Sequence, residues 1–93
     1  MPLPVTRVLV VDDEPVMRKV LTTALSAVGY TMREAPDGKT ALVTIRERPV
    51  DLVLLDINMP GEGGIESCRQ IRRIAPRTGI VMITVRDRED DKV

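Results

Sequence analysis

The chain reads as an α/β domain built on a parallel sheet, and three observations carry that reading. Two apolar runs, Val8-Leu9-Val10-Val11 and Leu52-Val53-Leu54-Leu55, show almost no alternation, as expected of strands buried on both faces. Segments with helical spacing of apolar residues lie between the runs, so strands and helices alternate. Both runs end in aspartate, Asp12-Asp13 after the first and Asp56 after the second. Ligands of open parallel sheets sit outside the carboxyl ends of the strands. If the two strands are neighbours, roughly 4.8 Å apart, the three carboxylates converge on one spot.

The elements follow in order. Val5 to Val11 is the first strand. Met17, Val20, Leu21, Ala24, Leu25 and Val28 then recur at helical spacing as one apolar stripe. Pro15 stands where that helix begins, a position that tolerates its missing N–H, and Gly29 supplies the stop. Tyr30 to Glu34 is a more polar strand, expected near the sheet edge. Asp37 is the expected N-cap of a second helix, with Ala41, Leu42 and Ile45 facing inward and Pro49 after its end. Val50 to Leu55 forms the third strand. Pro60-Gly61-Glu62-Gly63-Gly64 is a loop that opens a third helix, with an inner face of Ile65, Cys68, Ile71 and Ala75 and an end at Pro76. Gly79 to Val85 is the fourth strand, and the charged run Arg86 to Lys92 reads as the solvated start of a fourth helix. Right-handed crossovers then cover both faces of the sheet. The flavodoxin-like, doubly wound order 2-1-3-4 sets strands one and three side by side at the switch point.

Composition narrows the function. Ninety-three residues make one small domain, taken as residues 1–93. Tyr30 is the sole aromatic residue, which argues against a base-stacking nucleic-acid platform. Fourteen basic residues balance fourteen acidic ones, so no basic field invites nucleic acid or an anionic membrane. Cys68 stands alone and histidine is absent. This excludes an internal disulfide, a cysteine-cluster zinc site and every histidine-dependent catalytic arrangement. No apolar stretch reaches transmembrane length and Met1 to Val5 lacks the shape of a secretory signal, so a reducing cytoplasm is the expected location.

Oxygen-only ligands without histidine or paired cysteine suit Mg²⁺ or Mn²⁺. Asp13 and Asp56 are positioned to ligate directly, Asp12 to orient a bound water, and a backbone carbonyl just after Asp56, near Asn58, to complete the protein share. A carboxylate also acts as a nucleophile toward phosphorus. Phosphoryl transfer needs positioning and charge neutralisation more than acid–base chemistry. Thr84 closes the fourth strand at the same edge, where its hydroxyl can donate to a phosphoryl oxygen. Taken singly these residues have plainer uses. An aspartate after a strand commonly caps a helix or forms a turn, Thr84 suits a strand, and Cys68 fills core. The pair together with Asp56 is what favours a site, because buried like charges are costly without a partner.

Val8 to Pro15, Leu54-Leu55-Asp56-Ile57-Asn58-Met59-Pro60-Gly61 and Ile83-Thr84 together resemble the receiver domain of bacterial two-component response regulators, over the whole chain and in the expected order. That resemblance implies Asp56 as phosphoacceptor, Asp12 and Asp13 as the acidic pair, and the Asn58 carbonyl as a ligand of Mg²⁺. It also implies Thr84 as the hydroxyl that follows the phosphoryl group, and a sensor histidine kinase as partner. Thr84 to Val93 is similar to receivers joined to winged-helix transcription factors, where a charged helix mediates dimerisation. The sequence departs from the family in lacking the fifth strand, with its Lys and aromatic switch residue, and the fifth helix, so a C-terminally truncated receiver is expected. Gly63 stands where an acidic residue is common, and Val85 where a small one is usual.

The resulting expectation is a signalling domain rather than an enzyme, limited at most to Mg²⁺-dependent self-phosphorylation and dephosphorylation. The alternatives are a non-phosphorylated binding or assembly module and a haloacid-dehalogenase-like phosphatase. The second needs an Asp-x-Asp spacing that Asp12-Asp13-Glu14 does not supply. The apolar fourth strand, bare at the sheet edge, adds the expectation of a homodimer or domain-swapped assembly. No direct nucleic-acid contact is expected.

Overall fold

The computed structural model describes residues 6–59 and 63–83. Its elements are β1 (Arg7–Val11), α1 (Pro15–Ala27), β2 (Thr31–Ala35), α2 (Gly38–Glu47), β3 (Leu52–Asp56), α3 (Gly63–Ile74) and β4 (Gly79–Ile83). The four strands form one parallel sheet in the order β2-β1-β3-β4. The order 2-1-3-4 expected from the sequence is therefore the one observed, with the more polar β2 at an edge. Boundaries move by a residue or two: β2 begins at Thr31 rather than Tyr30, and β3 extends to include Asp56.

Register explains how one sheet serves two layers. Leu9 pairs with Val53 and Val11 with Leu55, and successive side chains alternate between faces. These four residues join Ala41 and Ile45 of α2 and Ile71 of α3 in one buried cluster with Ala35, Val50 and Met59. Val8 and Val10 point the other way and are fully buried, whereas their neighbours Leu52 and Leu54 stay half-exposed. One face thus carries α2 and α3, and the opposite face carries α1.

That asymmetry corrects the α1 stripe expected from the sequence. No residue of α1 is fully buried. Met17, Leu21 and Leu25 are half-buried, while Val20 is 52% and Val28 71% exposed. The i, i+4 row Met17–Leu21–Leu25 meets the sheet, and Val20, Ala24 and Val28 lie to one side of it. The inner face of α3 needs a similar correction. Ile65 is 64% exposed, and the buried positions are Gly64, Ser67 and Ile71, with Cys68 half-buried. Cys68, Ile71 and Ala75 do face the core as expected, and only at the start of the helix does Gly64 take the inward place expected of Ile65.

The helix ends follow local chemistry. Pro15 opens α1, and Gly29, with φ of +110°, sits beyond its end in a conformation that favours glycine. Asp37 caps α2, its side chain accepting a hydrogen bond from the Thr40 N–H at 2.8 Å. Gly63, where the sequence lacks the family's usual acidic residue, has φ of +78°, a conformation an L side chain would strain. The loop residues 60–62 and the expected features from Thr84 to Val93 lie outside the described residues. They include Thr84, Val85 and the charged run.

Candidate cation and phosphoacceptor site

β1 and β3 are adjacent, parallel and central in the sheet, so their carboxyl ends deliver Asp12, Asp13 and Asp56 to the middle of its carboxyl edge. Each offers a carboxylate oxygen, and the three oxygens lie within 4.8 Å of one another. Asp12 and Asp56 are fully buried, and Asp13 is not. Two carboxylates that close repel by on the order of 3–4 kcal/mol at an effective dielectric near 20. A divalent cation converts that repulsion into attraction, and all-oxygen donors are the set that Mg²⁺ and Mn²⁺ prefer.

The chain holds these groups in place with local hydrogen bonds. The Glu14 N–H donates to Asp12 Oδ1 at 2.9 Å, and the Asn58 N–H donates to Asp56 Oδ1 at 2.9 Å. Both are side-chain-to-backbone links two residues along, the turn-forming habit of aspartate. Each fixes one oxygen of its carboxylate through the backbone. The sheet ladder continues into the site: the Asp12 N–H donates to the Ala35 carbonyl at 3.1 Å, and the Ile57 N–H to the Ile83 carbonyl at 3.0 Å. Asp56 itself pairs with Ile83 in register, so Thr84, the next residue, lies just outside the described structure.

The structure therefore brings together Asp12, Asp13 and Asp56, with Asn58 beside Asp56. Three contributors were not evident from the sequence. Arg18 donates from Nη1 to the Asp12 carbonyl at 2.8 Å and from Nε to Glu34 Oε1 at 3.0 Å. Glu34 is the second; burial raises its carboxyl, but the Thr22 hydroxyl, the Arg18 hydrogen bond and the charges of Lys19 and Arg18 hold it below its ordinary value. Gly64 is the third, packed directly against the backbone of Asp56 and Ile57. No motif marks Arg18 or Glu34, sixteen residues apart, until the strand order puts β2 beside β1. A paired Gly63-Gly64 at a helix start was the one available signal for a close approach.

The chain belongs to the response regulator receiver domain family, which it matches over residues 8–93. It is 43% identical over 88 residues to the transcriptional regulatory protein ResD of Bacillus subtilis (strain 168), covering 95% of this chain and 36% of ResD. The chain thus spans well under half the length of the curated relatives it matches. Among solved structures it is similar to the response regulator TrrA from Thermotoga maritima in complex with Mg²⁺-BeF, with a TM-score of 0.81 and 38% identity. That match covers 92% of this chain and 76% of TrrA. TrrA in complex with the histidine kinase ThkA also matches, with a TM-score of 0.80 and 36% identity over 95% of this chain and 76% of that one.

Proposed function

We propose that this domain accepts a phosphoryl group on Asp56, from a sensor histidine kinase, with a divalent cation held by Asp12, Asp13, Asp56 and the Asn58 carbonyl. The observation that carries the reading is the convergence of three carboxylate oxygens within 4.8 Å at the ends of β1 and β3. Bound Mg²⁺ would neutralise charge on the incoming phosphoryl group, the main requirement of phosphoryl transfer. An Asp56 oxygen attacks phosphorus, the bond to the donor's imidazole nitrogen breaks, and an acyl phosphate remains on Asp56. Asp13, the member of the cluster that is not buried, would be the ligand through which the cation meets solvent. Thr84, following the residue paired with Asp56, would donate its hydroxyl to the phosphoryl group and relay the change.

The kinase partner is supported by the ThkA complex of a relative, and a transcriptional output by the regulators the chain resembles. A cytoplasmic location follows from that partnership. Among the described residues no helix is long and apolar enough to cross a membrane. Family membership argues against the haloacid-dehalogenase-like alternative and supports a signalling domain rather than an enzyme.

The test is incubation with a small-molecule phosphodonor and Mg²⁺, followed by mass mapping. One base-labile phosphoryl group on Asp56 is expected, absent from Asp56→Asn, which keeps the shape and removes the nucleophile. Labelling that persists in Asp56→Asn would name another acceptor. Failure of the wild-type protein to label would favour the binding or assembly module.

A further inference from the structure

We infer that Arg18 is a positioning residue for the cation site, holding the Asp12–Glu14 loop so that Asp13 meets Asp12 and Asp56; this rests on the proposed cation site. The Arg18 side chain holds the loop from one side, its Nη1 donating to the Asp12 carbonyl at 2.8 Å. The first bond of α1, from the residue-18 N–H to the Glu14 carbonyl at 2.9 Å, fixes the other side whatever side chain stands there. The residue between those two carbonyls is Asp13. Asp12 is also tied at its own N–H to Ala35 and at its Oδ1 to Glu14, and Arg18 adds a side-chain restraint that reaches the loop from α1.

Glu34 aims the guanidinium. Its Oε1 accepts from Arg18 Nε at 3.0 Å, and the two side chains are only 18% and 27% exposed. An exposed ion pair is worth little and constrains little. This one is largely shielded from solvent, and it uses the planar fork of arginine to contact two acceptors, one on β2 and one in the loop after β1. Lysine carries the same charge but not that fork.

Charge and position predict opposite results. A positive group near a cation site opposes binding, so on charge alone Arg18→Ala would tighten it and Arg18→Lys would change nothing. Positioning predicts that both weaken it, by about tenfold, the lower end of losses typical for groups that orient metal ligands.

Mn²⁺ titration of the full chain, followed by the spin-resonance signal of free Mn²⁺, separates the two. Circular dichroism melts set a temperature at which each variant is folded. The wild type should bind one ion, and Arg18→Lys and Arg18→Ala should bind it about tenfold more weakly. Glu34→Gln provides a second route should Arg18 variants unfold; its weakening should persist at high salt, where a through-space charge effect is screened. Unchanged affinity in Arg18→Lys, tighter binding in Arg18→Ala, or a Glu34→Gln effect that vanishes with salt would overturn the role of Arg18. A wild type that binds no Mn²⁺, or an Asp13→Ala variant that binds it normally, would instead overturn the cation site itself.

Discussion

A Cβ placed on Gly64 would stand 2.8 Å from the carbonyl oxygen of Asp56 and closer still to the Ile57 Cα. Both neighbours are backbone, so neither can swing aside, and α3 is allowed to approach the end of β3 only because residue 64 has no side chain. Two effects of Gly64→Ala therefore oppose each other. Helix propensity favours alanine by well under the ~1 kcal/mol of a helix interior, because residue 64 is only the second of α3, while overpacking a tight contact costs about 1–3 kcal/mol. The steric term should win. Chemical denaturation should show net destabilisation of about 1 kcal/mol or more, and a more stable variant would contradict the close packing.

Removing the cap of α2 should cost about 1 kcal/mol in Asp37→Ala, the usual loss when an N-cap oxygen is deleted. Asp37→Asn or Asp37→Ser, which retain a capping oxygen, should recover most of it. Urea midpoints with unchanged slope would establish that stability alone has moved.

Acid should destabilise the domain in a defined direction. Asp37 is held below its ordinary value by the Thr40 backbone N–H, then by the Thr40 hydroxyl and Lys39. Asp51 is held low by the Arg7 backbone N–H and then by the Arg7 side chain. Glu34 is lowered despite its burial, as described above. A carboxylate lowered in the folded state stabilises at pH above its unfolded value, near about 4. That contribution is lost as pH falls through the lower folded value. Thermal midpoints should therefore fall as pH is taken below about 4, and Asp37→Asn should lose part of that dependence. Midpoints that rise on acidification would refute the assignment.

Much of this was readable in the chain, and the reason is physical. Buried parallel strands write themselves as unbroken Val and Leu runs, so β1, β3 and the aspartates ending them could be located before any coordinates. The flavodoxin-like strand order was then the one that set strands one and three side by side, where those carboxylates could meet. Arg18, Glu34 and Gly64 act across elements, through a guanidinium that reaches from α1 to β2 and the loop after β1 or a backbone that grazes another. No local pattern encodes such contacts. The overextended stripe on α1 has a related cause: apolar spacing shows which residues share a helix face, not how much of that face a neighbour covers.

Self-association is the fourth expectation. Among the described residues β4 pairs only with β3, and Val81 and Met82 are 45% and 40% exposed. Such an apolar edge recruits another strand, and the exposed row of Val16 and Val20 on α1 adds a second apolar surface. A two-fold pairing of β4 with its copy would cover that edge. Sedimentation of the 93-residue chain at low micromolar concentration should show a dimer or larger species; a clean monomer of 10.3 kDa would refute it.

The central claim is that Asp12, Asp13 and Asp56 form a single divalent-cation site at the ends of β1 and β3, and paramagnetic Mn²⁺ tests it most directly. In two-dimensional amide spectra, substoichiometric Mn²⁺ should broaden signals around Asp13 and Asp56 first, and Asp13→Ala should abolish that selective broadening while the rest of the spectrum stays folded. Broadening confined to the acidic run between Arg86 and Lys92, or unchanged in Asp13→Ala, would contradict the site.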